Sequence, residues 1–194
     1  MKKKTMAKII EIKKKTQEAN IIKMLDDIKK NARTSSIASI FYDAGEKTLF
    51  ATDGRRLLLM RTSLLERNGI DYNAKCTYSK DILIVDEYDK ELIDYKRVIP
   101  QLGYNGYDEA IAIEDFSNLA TSWILFNLAR KGMMVDYHYM DSIKGIISMF
   151  SHFTWNNKKN TAPILLMNKD DSIKYIIMPC NPAEAKIIDA KELI

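Results

Sequence analysis

The chain has 194 residues, 46% hydrophobic and 29% charged, which is enough for one large domain or two small ones with a real core. A net charge of +4, with only seven glycines and four prolines, excludes a low-complexity chain and does not by itself establish a nucleic-acid partner. Two distant cysteines, Cys76 and Cys180, exclude a disulfide framework and a cysteine-only metal site.

The basic excess gathers near the start, at Lys2, Lys3, Lys4, Lys8, Lys13, Lys14 and Lys15, either as a solvated end or as a phosphate-facing one. Residues 9–13 alternate weakly and suit a strand. Thr16 is placed to cap a helix, with Gln17 and Glu18 in its first turn. Ile21, Leu25, Ile28 and Ala32 recur at helical spacing, while Lys23, Lys29, Lys30 and Arg33 lie mostly off that stripe. The first helix is therefore amphipathic with a cationic outer face. Strands are expected over 37–42, 47–52 and 55–61. Asp53-Gly54 between the last two is a hairpin signal, because tight hairpin turns need positive φ. The first third thus reads β-α-β-β-β.

Residues 63–74 read as a connection, 76–78 and 82–85 as short strands, 86–90 as an acidic loop, and 95–99 as an extended stretch ended by Pro100. A linker is expected over 101–108 and a strand over 110–113. Asp115 or Ser117 caps a second helix whose apolar face is Phe116, Leu119, Ala120, Trp123, Ile124 and Leu128, ended by Gly132. A strand over 133–139 and a third helix capped by Asp141, built on Ile143, Ile146, Ile147 and Phe150, follow. Strands over 153–155, 164–168 and 173–178 close the chain's second β-α-β-β-β run. The fold class is α+β, with helices on one face of antiparallel sheets. The preferred division is a single composite domain over 1–194: repeat one 1–62, an insertion at about 63–130, repeat two 131–180 and a tail 181–194. The alternative is two short domains, 1–100 and 101–194.

Enzyme readings find little support. No Gly-x-x-x-x-Gly-Lys or Gly-x-Ser-x-Gly motif occurs, and the two histidines, His138 and His152, lack zinc-site spacing. The acid pairs Asp26-Asp27, Glu114-Asp115 and Asp170-Asp171 sit where solvated acids are common. The aromatic clusters at 104–107 and 137–139 suit packing more than base stacking. No catalysis, cofactor or metal is expected. No segment is apolar for long enough to span a bilayer, and no apolar stretch of signal-peptide length follows the basic start, so a cytoplasmic location without a membrane partner is expected.

Three separated segments resemble the bacterial sliding clamp, the DNA polymerase III β subunit. Leu49-Phe50-Ala51-Thr52-Asp53-Gly54-Arg55-Arg56-Leu57 resembles the clamp's Ala-Thr-Asp-Gly-His-Arg-Leu signature. Ile93-Asp94-Tyr95-Lys96-Arg97-Val98-Ile99-Pro100 resembles its Pro-Asp-Tyr-Arg-Arg-Val-Leu-Pro stretch. Tyr175-Ile176-Ile177-Met178-Pro179-Cys180 resembles its C-terminal Tyr-Val-Val-Met-Pro-Met. The chain departs from the family at Arg55, at Ile93, in the tail 181–194 and in length, matching only a shortened middle and last domain. The resemblance implies a DNA-clamp-like fold and a non-catalytic processivity factor of DNA polymerase, working as a homo-oligomer. It also implies a pocket for polymerase and clamp-loader peptides at Thr52, Gly54, Arg55, Arg56, Leu57, Ile93, Arg97, Val98, Ile176, Met178, Pro179 and Cys180. Duplex DNA would be held without sequence reading by Lys23, Lys29, Lys30 and Arg33, with Lys144 on the third helix. Alternatives are a clamp-derived adaptor that keeps the pocket but not the ring, and an enzyme on an unrelated α+β fold.

Overall fold

The structure, a computed structural model, describes residues 7–107, 111–113 and 120–180. The cap candidates Asp115 and Ser117, the apolar Phe116 and Leu119, the acid pair Glu114-Asp115, the first lysines and the tail 181–194 lie outside the described residues.

The first run is β1 (Lys8–Glu11), α1 (Gln17–Lys30), β2 (Ile40–Asp43), β3 (Thr48–Thr52) and β4 (Arg56–Arg61). A one-turn helix α2 (Leu64–Arg67) leads to the hairpin β5 (Ala74–Ser79) and β6 (Ile82–Glu87), then a 3₁₀ turn at Tyr95–Val98. The second run is β7 (Ile111–Ala112), α3 (Ala120–Arg130), α4 (Tyr137–Asp141), a 3₁₀ turn at Ile147–Met149, and β8 (His152–Thr154), β9 (Ile164–Met167) and β10 (Ile173–Ile177). Among the described residues ten strands join one antiparallel sheet in the order β1-β6-β5-β2-β3-β4-β10-β9-β8-β7. The two runs meet at their last strands, with Leu58 of β4 opposite Tyr175 of β10.

Strand alternation sorts the sheet into two faces. Across its middle one row runs Ala51, Leu58, Tyr175, Leu166, Phe153. These residues are all buried in the main core, together with Ile21, Ile22, Leu25 and Ile28 of α1, Ile124 and Leu128 of α3 and Met140 of α4. The neighbouring row, Thr52, Leu57, Ile176, Leu165, Thr154, points the other way. The helices therefore share one face, as expected. The opposite face has its own smaller core of Phe41, Phe50, Leu57, Leu59, Tyr95, Leu165, Met167 and Ile176, roofed by Leu92, Ile93 and Ile99. Burial on both faces is why residues 57–60 form an unbroken apolar run instead of alternating.

Thr16 caps α1, its Oγ1 accepting from the Ala19 N–H at 3.1 Å. Elsewhere the backbone departs from expectation. Residues 133–139 do not form a strand. Gly132, at φ +70°, ends α3 in a left-handed turn, and the Met133 N–H bonds back to the Leu128 carbonyl. Asp136 then caps α4 by accepting from the His138 N–H at 2.9 Å, so Tyr137 begins a helix. Asp141 ends that helix rather than starting one. Ile143, Ile146, Ile147 and Phe150 are all buried, but in turns and the second 3₁₀ turn, not in one continuous helix. Residues 95–98 coil into a 3₁₀ turn instead of running extended, because the Tyr95 ring folds back onto Phe50, centroid to centroid 4.2 Å. Among the described residues no helix is long and apolar enough to cross a membrane.

Candidate functional site

The turn between β3 and β4 is built by Asp53. Its Oδ1 accepts from the N–H groups of Arg55 (2.8 Å) and Arg56 (2.7 Å), and its Oδ2 takes the Arg56 Nε–H at 2.7 Å. Thr52 Oγ1 accepts from the Gly54 N–H, and Gly54 sits at φ +89°, where a side chain is strained. Both Asp53 and Arg56 are 4% exposed. The Arg56 guanidinium stacks 4.8 Å from the Tyr139 ring and donates to Ser142 Oγ at 3.0 Å. Arg56 is thus held on the helix side, where it ties the hairpin turn to α4, while Leu57 beside it faces the opposite side.

The residues singled out for peptide binding therefore divide. Thr52, Leu57 and Ile176 are direct cross-strand neighbours on the outer face, and Ile93 packs on the same cluster. Met178 continues the ladder, its N–H donating to the Arg55 carbonyl at 2.8 Å, and is partly exposed. Pro179 and Cys180 follow, also partly exposed, with the Cys180 N–H bonded to the Met134 carbonyl. Val98 is 44% exposed on the 3₁₀ turn, and Arg97 projects into solvent beside Asp94. Gly54 stands at the turn tip. Arg55 lines a polar cleft of about 430 Å³ on the helix side, together with Arg33, Asp27, Asp136 and His138.

Three segments far apart in sequence, 52–57, 93–99 and 176–178, thus converge on one apolar face. Tyr95 pins the middle segment: its hydroxyl donates to Asp43 Oδ2 at 3.0 Å. Burial, then the hydrogen bond to the Asp43 carboxylate, pushes the Tyr95 phenol above its ordinary pKa, so it stays a donor across physiological pH. Beside this cluster an open cleft of about 750 Å³ runs over β9 and β10. Its floor includes Leu165, Met167, Ile99 and Leu102, and Lys96, Lys169 and Lys174 stand around it. Sequence reasoning missed this extension. Its signal was there, since Leu165 and Met167 share one side of a strand and Lys174 lies two residues from Ile176.

On the helix side, Lys23, Lys30 and Arg33 are exposed and Lys29 is half-buried. Lys29 and Lys30 both bind Asp26, at 2.9 and 2.7 Å. Asp26 is 5% exposed; burial opposes its charge, but the bonds from Lys30 and Lys29 win and hold its pKa below the ordinary carboxylate value. Lys144 pairs with Asp141 and reaches the Tyr137 hydroxyl at 3.3 Å. A shallow cleft lined by Lys23, Asp27, Ser142 and Gly145 places α1 and the turn carrying Lys144 on the same side. Among the described residues, no group of three or more His, Cys, Asp or Glu is arranged to hold a metal ion.

No protein-family model matches the chain, and no curated protein matches it by sequence. Solved structures do. The Helicobacter pylori beta clamp, in complex with 3,4-difluorobenzamide, superposes with a TM-score of 0.51 at 12% identity, covering 91% of this chain and 67% of that one. A putative DNA polymerase III beta subunit from Eubacterium rectale gives a TM-score of 0.51 at 10% identity, covering 93% and 67%. The chain has the sliding-clamp fold and spans about two thirds of the length of those structures.

Proposed function

We propose that this protein is a compact, non-catalytic sliding-clamp-like factor that docks replication proteins through the apolar outer face and associates with duplex DNA through its helix side. The observation that carries the reading is the convergence of Thr52, Leu57, Ile93 and Ile176 on one face, with the partly exposed Met178 next along the ladder and Val98 exposed on the 3₁₀ turn after Ile93. An apolar floor with an adaptable methionine and a long arginine at its edge suits a short peptide with one or two large apolar side chains. Arg97, 81% exposed along its side chain, supplies that arginine. The uninterrupted sheet favours one composite unit over two independent domains, 1–100 and 101–194. The edge strands β1 and β7 would carry strand pairing between copies in a homo-oligomer.

One observation favours the second reading, an adaptor that keeps the peptide face without encircling DNA. Asp26 engages both Lys29 and Lys30, which leaves fewer cations for phosphates than the sequence promises. Fluorescence anisotropy with a labelled clamp-binding peptide from a replicative polymerase tests the docking face. Saturable micromolar binding is expected, weakened about tenfold or more in a Met178→Ala/Arg97→Ala variant, the loss of roughly 1.4 kcal/mol. A well-folded wild type that does not bind would leave the clamp likeness as one of fold alone. Light scattering on the same sample separates ring from adaptor by its mass.

A further inference from the structure

On the helix side, at the far edge from α1, a cleft of about 670 Å³ opens between the end of α3 and the loop after β8. Its lining includes Lys131, Trp155, Asn157, Lys158 and Asn160, and, among the described residues, no carboxylate. We propose that this cleft binds single-stranded nucleic acid, one base stacking on Trp155 while Lys131, Lys158 and Lys159 hold the flanking phosphates. The inference does not depend on the peptide-docking reading.

The loop is built, not loose. Asn156 is 5% exposed, and its Oδ1 accepts from the N–H groups of both Lys158 and Lys159 at 2.9 Å. Its Nδ2 donates to the Asn105 carbonyl at 2.7 Å, and the Asn157 N–H donates to the Gly106 carbonyl. Gly106 is at φ +91°, and a Cβ there would meet Asn156 Oδ1 at 2.8 Å, so the latch requires glycine. The backbone of two consecutive lysines is thus fixed, and Lys158 lines the same cleft as the Trp155 ring. Trp155 is half-buried and braced from behind by Phe153 at 5.4 Å, which in turn meets Trp123 at 5.5 Å. Lys131 stands over the Trp155 ring with its Nζ 6.0 Å from the centroid.

Among the described residues no carboxylate lies within ion-pair distance of Lys131, Lys158 or Lys159, in contrast to Lys29, Lys30 and Lys144. Three full positive charges outweigh the roughly half negative charge at the end of α3, whose Gly132 carbonyl is already approached by Asn160 Nδ2. A ring that stacks any base, amide groups around it and cations beside it form the chemistry of sequence-tolerant single-strand binding. A stacked duplex keeps its bases out of reach of Trp155, so single strands are preferred.

The test uses the full chain, a short fluorescein-labelled oligothymidylate, and the same oligonucleotide annealed to its complement. Single strand binds more tightly at low salt. Trp155→Leu weakens it roughly tenfold or more, as removal of one stacked base does, while Trp155→Phe stays within about threefold. Lys158→Ala/Lys159→Ala lowers the salt slope by about 0.7 for each phosphate that is no longer neutralised. Circular dichroism confirms that the variants fold. The proposal is overturned if folded wild type does not bind the single strand. It is equally overturned if Trp155→Leu binds as wild type does, or if polyglutamate of equal charge competes as well as nucleic acid, which would make the cleft a general polyanion or acidic-peptide patch.

Discussion

Asp53→Ala is expected to cost about 3–5 kcal/mol of folding stability, the range for stranding one member of a buried ion pair. The side chain does two jobs in one turn. Its Oδ1 satisfies two backbone N–H groups, and its Oδ2 neutralises Arg56, which is 4% exposed. Removing it leaves a guanidinium out of water with the Tyr139 ring, Ser142, the Tyr175 hydroxyl and the more distant Asp27 carboxylate at 3.9 Å. Those remaining partners set the cost toward the lower end of the range. Asp53→Asn keeps an oxygen for the turn, but its amide nitrogen replaces the oxygen that accepts from Arg56 Nε. The turn is spared while the buried Arg56 loses both the charge and the acceptor, so the cost falls below that of Asp53→Ala. Arg56→Met strands the other member of the pair, the Asp53 carboxylate, which is 4% exposed. Because that carboxylate keeps its two backbone donors, a cost near the lower end of the same range, about 3 kcal/mol, is expected. Urea unfolding midpoints rank the three. An Asp53→Ala variant within about 1 kcal/mol of wild type would mean that Arg56 is solvated or rearranges, and that the turn is not tied to α4 in this way.

Phe50→Ala carries a comparable loss on the other face, about 3–5 kcal/mol. Phe50 is fully buried, stacks on Phe41 at 5.3 Å and on Tyr95 at 4.2 Å, and is the ring on which the segment 93–99 rests against the sheet. Truncation empties the centre of the smaller core and removes two aromatic pairings, each worth about 0.5–1.5 kcal/mol beyond area. Phe50→Leu refills most of the volume and should cost less than half as much. The two cores also predict different companions to the loss. Phe50→Ala should loosen the 93–99 turn and weaken peptide binding, whereas Asp53→Ala should act mainly on the helix side. Equal loss of binding in both variants at matched stability would contradict the separation of the faces.

Much of this was legible in the sequence, for identifiable reasons. The Thr16 cap, the α1 stripe and the Asp53-Gly54 turn are local devices whose partners lie within a few residues, so spacing alone locates them. The clamp-like fold was legible because three segments kept both their residue types and their order. The strand expected over 133–139 failed because alternating Met133, Val135, Tyr137 and Tyr139 mimic a strand, while Gly132 and Asp136 set a helix end and a helix cap within five residues. The sidedness of Arg56 was not carried by the motif. Resemblance groups Arg56 with Leu57, but strand alternation sends them to opposite faces. The engagement of Lys29 and Lys30 was readable, since Asp26 precedes them by three and four residues on one helix, the spacing at which opposite charges meet. The role of Asn156 in the loop was not readable, because its partners Asn105 and Gly106 come from a segment some fifty residues away.

The most direct test of the central claim is a hydrogen-exchange footprint of the protein with and without a saturating clamp-binding peptide. Added protection is predicted at the β3–β4 turn, along residues 93–99 and at Ile176 to Met178, with α1 unchanged. Protection confined to the helix side, or no change at a peptide concentration that saturates anisotropy, would contradict docking on the outer face.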